Sequence, residues 1–413
     1  MLSHLLKKIV PHIAPPKKET RNQTRDKVST TEIVAAAVLC LAFVCQVFYW
    51  AYFMFRVRRR PRNLSCQLPD VSVIICARNE EDNLQRLIPA LLAQKYASRK
   101  QIVIVDDCST DNTPMVLAEA REKNPNEVYT TTIPGDSKFK HGKKLAISIG
   151  IKAAKYDHYV FIDADCVPAT EHWLTTMMEA YGTEGKELVL GYGRYAKHPG
   201  LLNLMIRYET FWNAVQYFGF ARALRPFMGV GRNLSYTRHL FDSSSKFRNN
   251  LNVLSGDDDL FVSEMGTSAN SANVFIAEAH TVSEPKEDWL NYSAQKSRHL
   301  TTASLYPWSV KFWLGFEQTS RVLFWLSLVA VLLLTLVWPE VGTQQSREIM
   351  WYIAGGALMV RTILIYSSMG MSAHNMGESR MWLLALPFDI MIPCMQAAAW
   401  ITGYSTKSRN TWK

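Results

Sequence analysis

Residues 159–165 read Tyr159-Val160-Phe161-Ile162-Asp163-Ala164-Asp165. Four apolar or aromatic residues run directly into two carboxylates spaced i, i+2. A continuous apolar run of this length suits a strand buried on both faces of a parallel sheet. Its carboxyl end then carries Asp163 and Asp165, at the edge where open α/β sheets bind ligands. Paired carboxylates suit a hard divalent cation, Mg²⁺ or Mn²⁺, which shares its shell with substrate phosphates. Two solvated acids in a turn would show the same letters, so the neighbouring segments decide.

Those segments alternate between strand and helix patterns. Val71–Ala77 reads as a first buried strand, ending in Arg78-Asn79-Glu80-Glu81-Asp82 with a helix from about Asp82. Gln101–Val105 is a second strand, ending in Asp106-Asp107-Cys108-Ser109-Thr110-Asp111 before a helix start rich in capping residues. Val128–Ile133 is a weaker strand, and Gly142-Lys143-Lys144 opens a helix through Ala154. The order β-α-β-α-β implies a Rossmann-like, mostly parallel, doubly wound α/β sheet with right-handed crossovers.

The chain of 413 residues carries a formal net charge of +10. The basic residues gather around the first apolar stretch, in Lys7-Lys8, Lys17-Lys18 and Arg56–Arg62, which points to a membrane surface and away from nucleic acid. Residues 33–55 form an uncharged run longer than the about 20 residues needed to cross a bilayer. The run is too long for a signal-peptide core, and no small-residue cleavage site follows. The arginines after it place the next segment in the cytosol. The expected organisation is a basic segment at 1–32, with an amphipathic surface helix near its start, a span at 33–55 and a soluble domain at 69–305. An interfacial amphipathic helix follows at 306–318, built on Trp308, Phe312, Trp313 and Phe316. A membrane region at 319–404 holds two to three spans, the last interrupted by Pro387, Asp389 and Pro393, and a basic tail closes the chain at 405–413. Seven cysteines without a C-x-x-C pair read as reduced and mostly buried.

Taken together, ICARNEEDNL (75–84), IVDDCSTDNT (104–113), GKKLAISIG (142–150), FIDADCVP (161–168), SGDDDLFV (255–262) and QKSRH (295–299) resemble, in order, the elements of a family 2 glycosyltransferase with the GT-A fold. The resemblance is to the membrane-embedded kind, which includes cellulose, poly-N-acetylglucosamine and hyaluronan synthases and ceramide glucosyltransferases. It implies an inverting, metal-dependent transfer of a sugar from a nucleoside diphosphate, UDP by preference, to a lipid-linked or glycan acceptor. It also implies an integral protein of the cell inner membrane with its catalytic domain in the cytosol. By resemblance, Ala77, Arg78, Asn79 and Glu80 contact the nucleotide with Asp107, Asp106 being the alternative. Lys143 approaches the nucleotide, Lys144 being the more ordinary surface lysine. Asp163 contacts ribose or metal, and Asp165 is the main metal ligand.

The base that takes the acceptor proton falls in Asp257-Asp258-Asp259. A G-E-D register selects Asp258 and an E-D register followed by three apolar residues selects Asp259; Asp258 is favoured. The remaining acids would cap the helix that begins with Leu260 or accept hydrogen bonds. Gln295, Arg298 and His299 share a helical face, with Arg298 suited to a diphosphate. His299 stands where the processive synthases carry tryptophan, which favours single or short transfer. The rival readings are a processive polysaccharide synthase and a membrane-bound nucleotidyltransferase. Three C-terminal spans are few for a glycan channel, so the synthase reading calls for an accessory membrane subunit. Gly229–Asn233 reads as a turn or a weak phosphate cradle, His280 as a structural histidine, and Tyr208, Phe211, Trp212 and Val215 as a packed helical stripe.

Overall fold

The computed structural model describes residues 29–57, 67–135, 142–248, 253, 255–337, 343–378 and 380–405, with the side chains of 299, 300 and 399–405 left out. Most of the expected basic segment, Arg58–Arg62 and most of the basic tail therefore lie outside the described residues. In chain order come α1 (Thr30–Tyr52), β1 (Val71–Ala77), α2 (Glu81–Leu92), β2 (Lys100–Asp107), α3 (Thr113–Lys123), β3 (Val128–Ile133), α4 (Lys143–Ala153), β4 (His158–Phe161) and β5 (Cys166–Pro168). They are followed by α5 (Trp173–Met178), β6 (Leu188–Gly191), β7 (Gly193–Tyr195), α6 (Leu201–Ala223), β8 (Leu234–Thr237), α7 (Arg238–Ser243), α8 (Asp259–Met265), β9 (Ser271–Val274) and β10 (Thr281–Ser283). The last helices are α9 (Trp289–Ala303), α10 (Trp308–Leu336), α11 (Gln344–Asn375) and α12 (Ala385–Ser405).

The main sheet has the order β3-β2-β1-β4-β8-β6-β9. Strands β3, β2, β1 and β4 are mutually parallel, an arrangement that suits the continuous apolar runs of β1, β2 and β4. Strand β8 enters antiparallel between β4 and β6, so the sheet is mixed on that side. A small second sheet joins β5, β10 and β7. One core lies under α2 and α5 and contains Val73, Ile75, Leu84, Leu87, Trp173 and Met177. The opposite face is covered by α4 and by the aromatic helix α6. Gly150 permits the close approach of α4, since a Cβ there would sit 2.6 Å from Ile74 Cγ2. The stripe Tyr208, Phe211, Trp212 and Val215 on α6 is buried, as its spacing predicts.

The chain divides into two compact units. One comprises residues 1–44 and 321–360, the other residues 45–320 and 361–413. The first is a helical unit whose core joins Leu39, Phe324, Leu328, Val331, Met350 and Ala354. The second holds the sheet, the ends of the apolar helices, and a buried polar cluster. Within that cluster Arg361 donates to both oxygens of Asp389, at 2.7 and 3.0 Å, and to Gln46 Oε1 at 2.7 Å.

Among the described residues, four helices are long and apolar enough to cross a membrane: residues 30–56, 308–336, 344–375 and 381–398. The segment expected as a separate interfacial helix and the span after it are one helix, α10. Nothing in Gly315-Phe316-Glu317-Gln318 interrupts the i→i−4 ladder there. The last apolar segment is helical through Pro393. The cysteine expectation fails in part: among those described only Cys166 is buried, and Cys40 and Cys394 lie on exposed faces of apolar helices.

Candidate active site

The loops after β1 and β2 are tied together side chain to backbone. Asn79, held at φ 56°, accepts from the Thr110 amide at 2.7 Å, and its own amide donates to Ser109 Oγ at 2.8 Å. The Glu80 amide donates to Thr113 Oγ1. Asp111 accepts from the Thr113 and Glu81 amides, the helix-start role its position predicts. At the base of this crevice Asp106 and Asp107 are buried at the end of β2. Asp106 Oδ1 accepts from the Ser109 amide, and its buried Oδ2 has no hydrogen-bond partner among the described residues. Ala77 is buried, Arg78 half-buried and Asn79 exposed. Glu80 titrates above the ordinary carboxylate range, chiefly through burial, and also through the charges of Asp165 and Asp163 beyond it.

One strand over, β4 delivers Asp163 and Asp165. Their carboxylates and Cys166 Sγ lie within 4.8 Å of one another. The donor set fits a hard divalent cation through the two carboxylates. Cys166 is turned inward, with Sγ 2.8 Å from Ser283 Oγ in the second sheet. Asp163 Oδ1 is already engaged by Lys143 Nζ at 2.8 Å, whereas Asp165 presents an exposed carboxylate. Asp165 titrates above the usual range, because surrounding protein displaces water and Asp163 adds like charge.

An open pocket with an empty volume of about 310 Å³ follows, lined in part by Cys76, Lys143, Asp163, Gly231, Asp257 and Asp258. Lys143 bridges Asp163 and Asp257, the latter at 3.1 Å. Burial opposes its charge, but the two carboxylates outweigh that and hold it well above the usual lysine range. Its neighbour Lys144 is not the surface lysine expected. It is buried and donates to the Val253 carbonyl at 2.8 Å.

The three adjacent acids point three ways. Asp257 pairs with Lys143. Asp259 Oδ2 accepts from Thr302 Oγ1 at 2.5 Å and from the Tyr306 hydroxyl at 2.8 Å. Asp258 caps α8 by accepting from the Asp259 amide, and its other oxygen accepts from the Gly231 amide at 2.7 Å. The helix therefore begins at Asp259, one residue before the expected start, and the favoured base is itself the cap. Burial, then the charges of Asp257 and Asp259, push the Asp258 carboxyl up to about 7. The glycine at 231 thus serves the acid: a Cβ there would lie 3.3 Å from Asp258 Oδ2 and 3.0 Å from Lys143 Nζ.

On α9, Gln295 Nε2 reaches the Tyr195 hydroxyl at 3.5 Å. Tyr195 also receives Arg232, whose guanidinium lies 4.5 Å from the ring centroid and donates to the hydroxyl at 3.1 Å. Arg298 is half-buried and makes no ion pair with a described residue. The side chain of His299 lies outside the described residues. Arg232 and Tyr195 were missed as site residues: Arg232 lies in a stretch that reads as a turn, and a lone tyrosine in a three-residue strand gives no signal. His280 is structural. Its Nε2 bonds the Phe275 carbonyl, and burial pushes it down to about 4.

Residues 72–229 match the family model described as Glycosyl transferase family 2. The poly-beta-1,6-N-acetyl-D-glucosamine synthase of Staphylococcus aureus (strain MSSA476) is 30% identical over 129 residues, 29% of this chain and 30% of that protein. The 4,4'-diaponeurosporenoate glycosyltransferase of Staphylococcus haemolyticus is 32% identical over 114 residues, 28% of this chain and 29% of the relative. The matched stretch thus spans less than a third of these relatives. Among solved structures, the mannosyltransferase PcManGT of Pyrobaculum calidifontis, in complex with GDP-Man and Mn2+, aligns with a TM-score of 0.50 at 17% identity, covering 85% of this chain and 99% of that one. Over residues 72–229 the chain is thus similar to family 2 glycosyltransferases, on a GT-A fold, and helices long and apolar enough to span a membrane accompany that stretch.

Proposed function

We propose that this protein is an inverting, metal-dependent glycosyltransferase that moves a sugar from a nucleoside diphosphate, UDP by preference, to a lipid-linked or glycan acceptor. The observation that carries the proposal is the pocket that Asp163, Lys143 and Asp258 line together, with Lys143 bridging Asp163 and Asp257. Ala77, Arg78, Asn79, Glu80, Asp106 and Asp107 form the nucleoside end. Asp165, with Asp163, would hold Mg²⁺ or Mn²⁺, which offsets charge on the leaving diphosphate. Lys143 places a positive charge between Asp163 and Asp257. Asp258 takes the proton of the acceptor hydroxyl as that oxygen attacks the anomeric carbon from the face opposite the diphosphate. Gln295 and Arg298 border the diphosphate and acceptor end, with His299 on the same helix.

The arginines that follow α1 favour a cytosolic catalytic domain at the inner membrane, where the apolar helices would bring a lipid acceptor to the site. The test is nucleotide release in nanodiscs from a panel of UDP- and GDP-sugars with Mg²⁺ or Mn²⁺, followed by mass analysis of lipid extracts. Release of UDP with a glycosylated lipid or short glycan is expected. Pyrophosphate release would mean a nucleotidyltransferase, and GDP release would move the donor class. The similarity to a polymer-forming synthase keeps one second reading, a processive enzyme with an accessory membrane subunit. A long product ladder from purified protein would establish it.

A further inference from the structure

Helix α9 carries Gln295 and Arg298 and packs against α12; among its described side chains no purely apolar one is buried. Trp289 and Leu290 are 51% and 74% exposed. Its two buried side chains among those described are Tyr292 and Thr302, and both use their hydroxyls on buried carboxylates. Tyr292 donates to Glu209 Oε2, and Lys296 Nζ, one turn on, pairs with the same oxygen at 2.8 Å. Thr302 donates to Asp259, joined by Tyr306 just beyond the helix. Glu209 is an acid in the otherwise aromatic α6, and Asp259 opens α8; each is less than a tenth exposed. A buried carboxylate that receives two donors is a strong and directional anchor.

We propose that Glu209 and Asp259 are a pair of positioning carboxylates that fix α9, with Gln295 and Arg298 between the two anchors, relative to Asp258. The link to Asp258 is direct. The Asp259 amide donates to Asp258 Oδ1 at 2.8 Å, so a shift at Thr302 pulls on the residue adjoining the proposed base. The second anchor keeps the helix from pivoting about the first. Asp259 is thereby assigned to geometry and not to proton transfer. The consequence for the reaction rests on the glycosyltransferase reading above. The anchoring itself does not.

The test uses the full chain in nanodiscs and two isosteric changes, Thr302→Val with Tyr306→Phe, and Glu209→Gln. The first removes donors and leaves the Asp259 carboxylate intact. Hydrogen exchange read over residues 289–303 should speed up about 10-fold in each variant, the scale of a lost hydrogen bond to a charged group. Exchange in β1 and β2 should stay as in the wild type, which shows that the fold is kept. Sugar transfer should show a raised KM for acceptor, while hydrolysis of the donor by water stays within about twofold, because a small nucleophile needs no aligned acceptor helix. Unchanged exchange in α9 would overturn the anchoring. Hydrolysis falling in step with transfer would return Asp259 to the chemistry. A wild type that turns over no nucleotide sugar would defeat the glycosyltransferase reading, with the exchange result still deciding whether the carboxylates hold the helix.

Discussion

The Gly231 amide donates to Asp258 Oδ2 at 2.7 Å, and this contact joins the turn before β8 to the start of α8. It leaves the acid with one oxygen on each side of its own cap. The carboxyl is half-buried and titrates near neutral pH, so a small change in its surroundings sets how much of it is ionised.

Asp258→Asn should keep nucleotide binding and lower transfer about 10²–10⁴-fold, the range for losing a general acid–base group. Asp259→Asn should cost less, since one oxygen remains to accept from Thr302 or Tyr306. Paired rate and binding measurements check this. The reverse ranking would select the other register.

The same acid predicts opposite pH trends for rate and stability. Transfer should rise as pH increases through about 7, where Asp258 ionises. Its carboxyl is raised above the ordinary value of 3.8, so its contribution to stability is full below about 4 and is lost as pH rises through about 7. A pH–rate profile beside melting temperatures at each pH tests both. A rate flat from pH 5.5 to 8.5 would contradict the assignment.

Lys143→Gln removes the cation that lies between Asp163 and Asp257 and that lowers the Asp258 pKa. The acid limb of the profile should move to higher pH, and donor affinity should weaken. A limb that stays in place would show that Lys143 does not govern Asp258.

Asp165→Ala should abolish turnover and metal-dependent donor binding with little loss of stability, because the side chain is exposed. Calorimetric titration with Mn²⁺ and donor checks it. Full wild-type activity in excess EDTA would remove the metal from the reading.

Arg361→Leu leaves Asp389 buried without its guanidinium, and should destabilise the protein by about 3–5 kcal/mol. Arg361→Leu with Asp389→Leu should recover most of that. Thermal melts in one detergent compare the two, and a double variant as unstable as the single one would contradict the pairing.

Strands β1, β2 and β4 could be read from the chain because a strand buried on both faces is written as an unbroken apolar run, and the acids after each run mark the ligand edge. Strands β6 and β8 could not. Leu188–Gly191 and Leu234–Thr237 are four residues each, too short for a period to show. The lysines at 143 and 144 look alike in sequence. Their different fates depend on which faces the pocket and which faces the Val253 carbonyl. The three acids pose the same difficulty, because composition does not record direction. Glu209 did leave a trace, an acid within an aromatic helix, but its meaning depended on Tyr292 and Lys296, more than eighty residues away.

Asp257, Asp258 and Asp259 each answer to a different neighbour, and a single turn of backbone sets all three directions. That stretch can exchange letters more easily than it can change length. Deleting or inserting one residue ahead of Leu260 would rotate every carboxylate by about 100° and trade all three assignments at once. Across relatives of this chain, the interval between Gly256 and Leu260 should vary less than the residues that fill it.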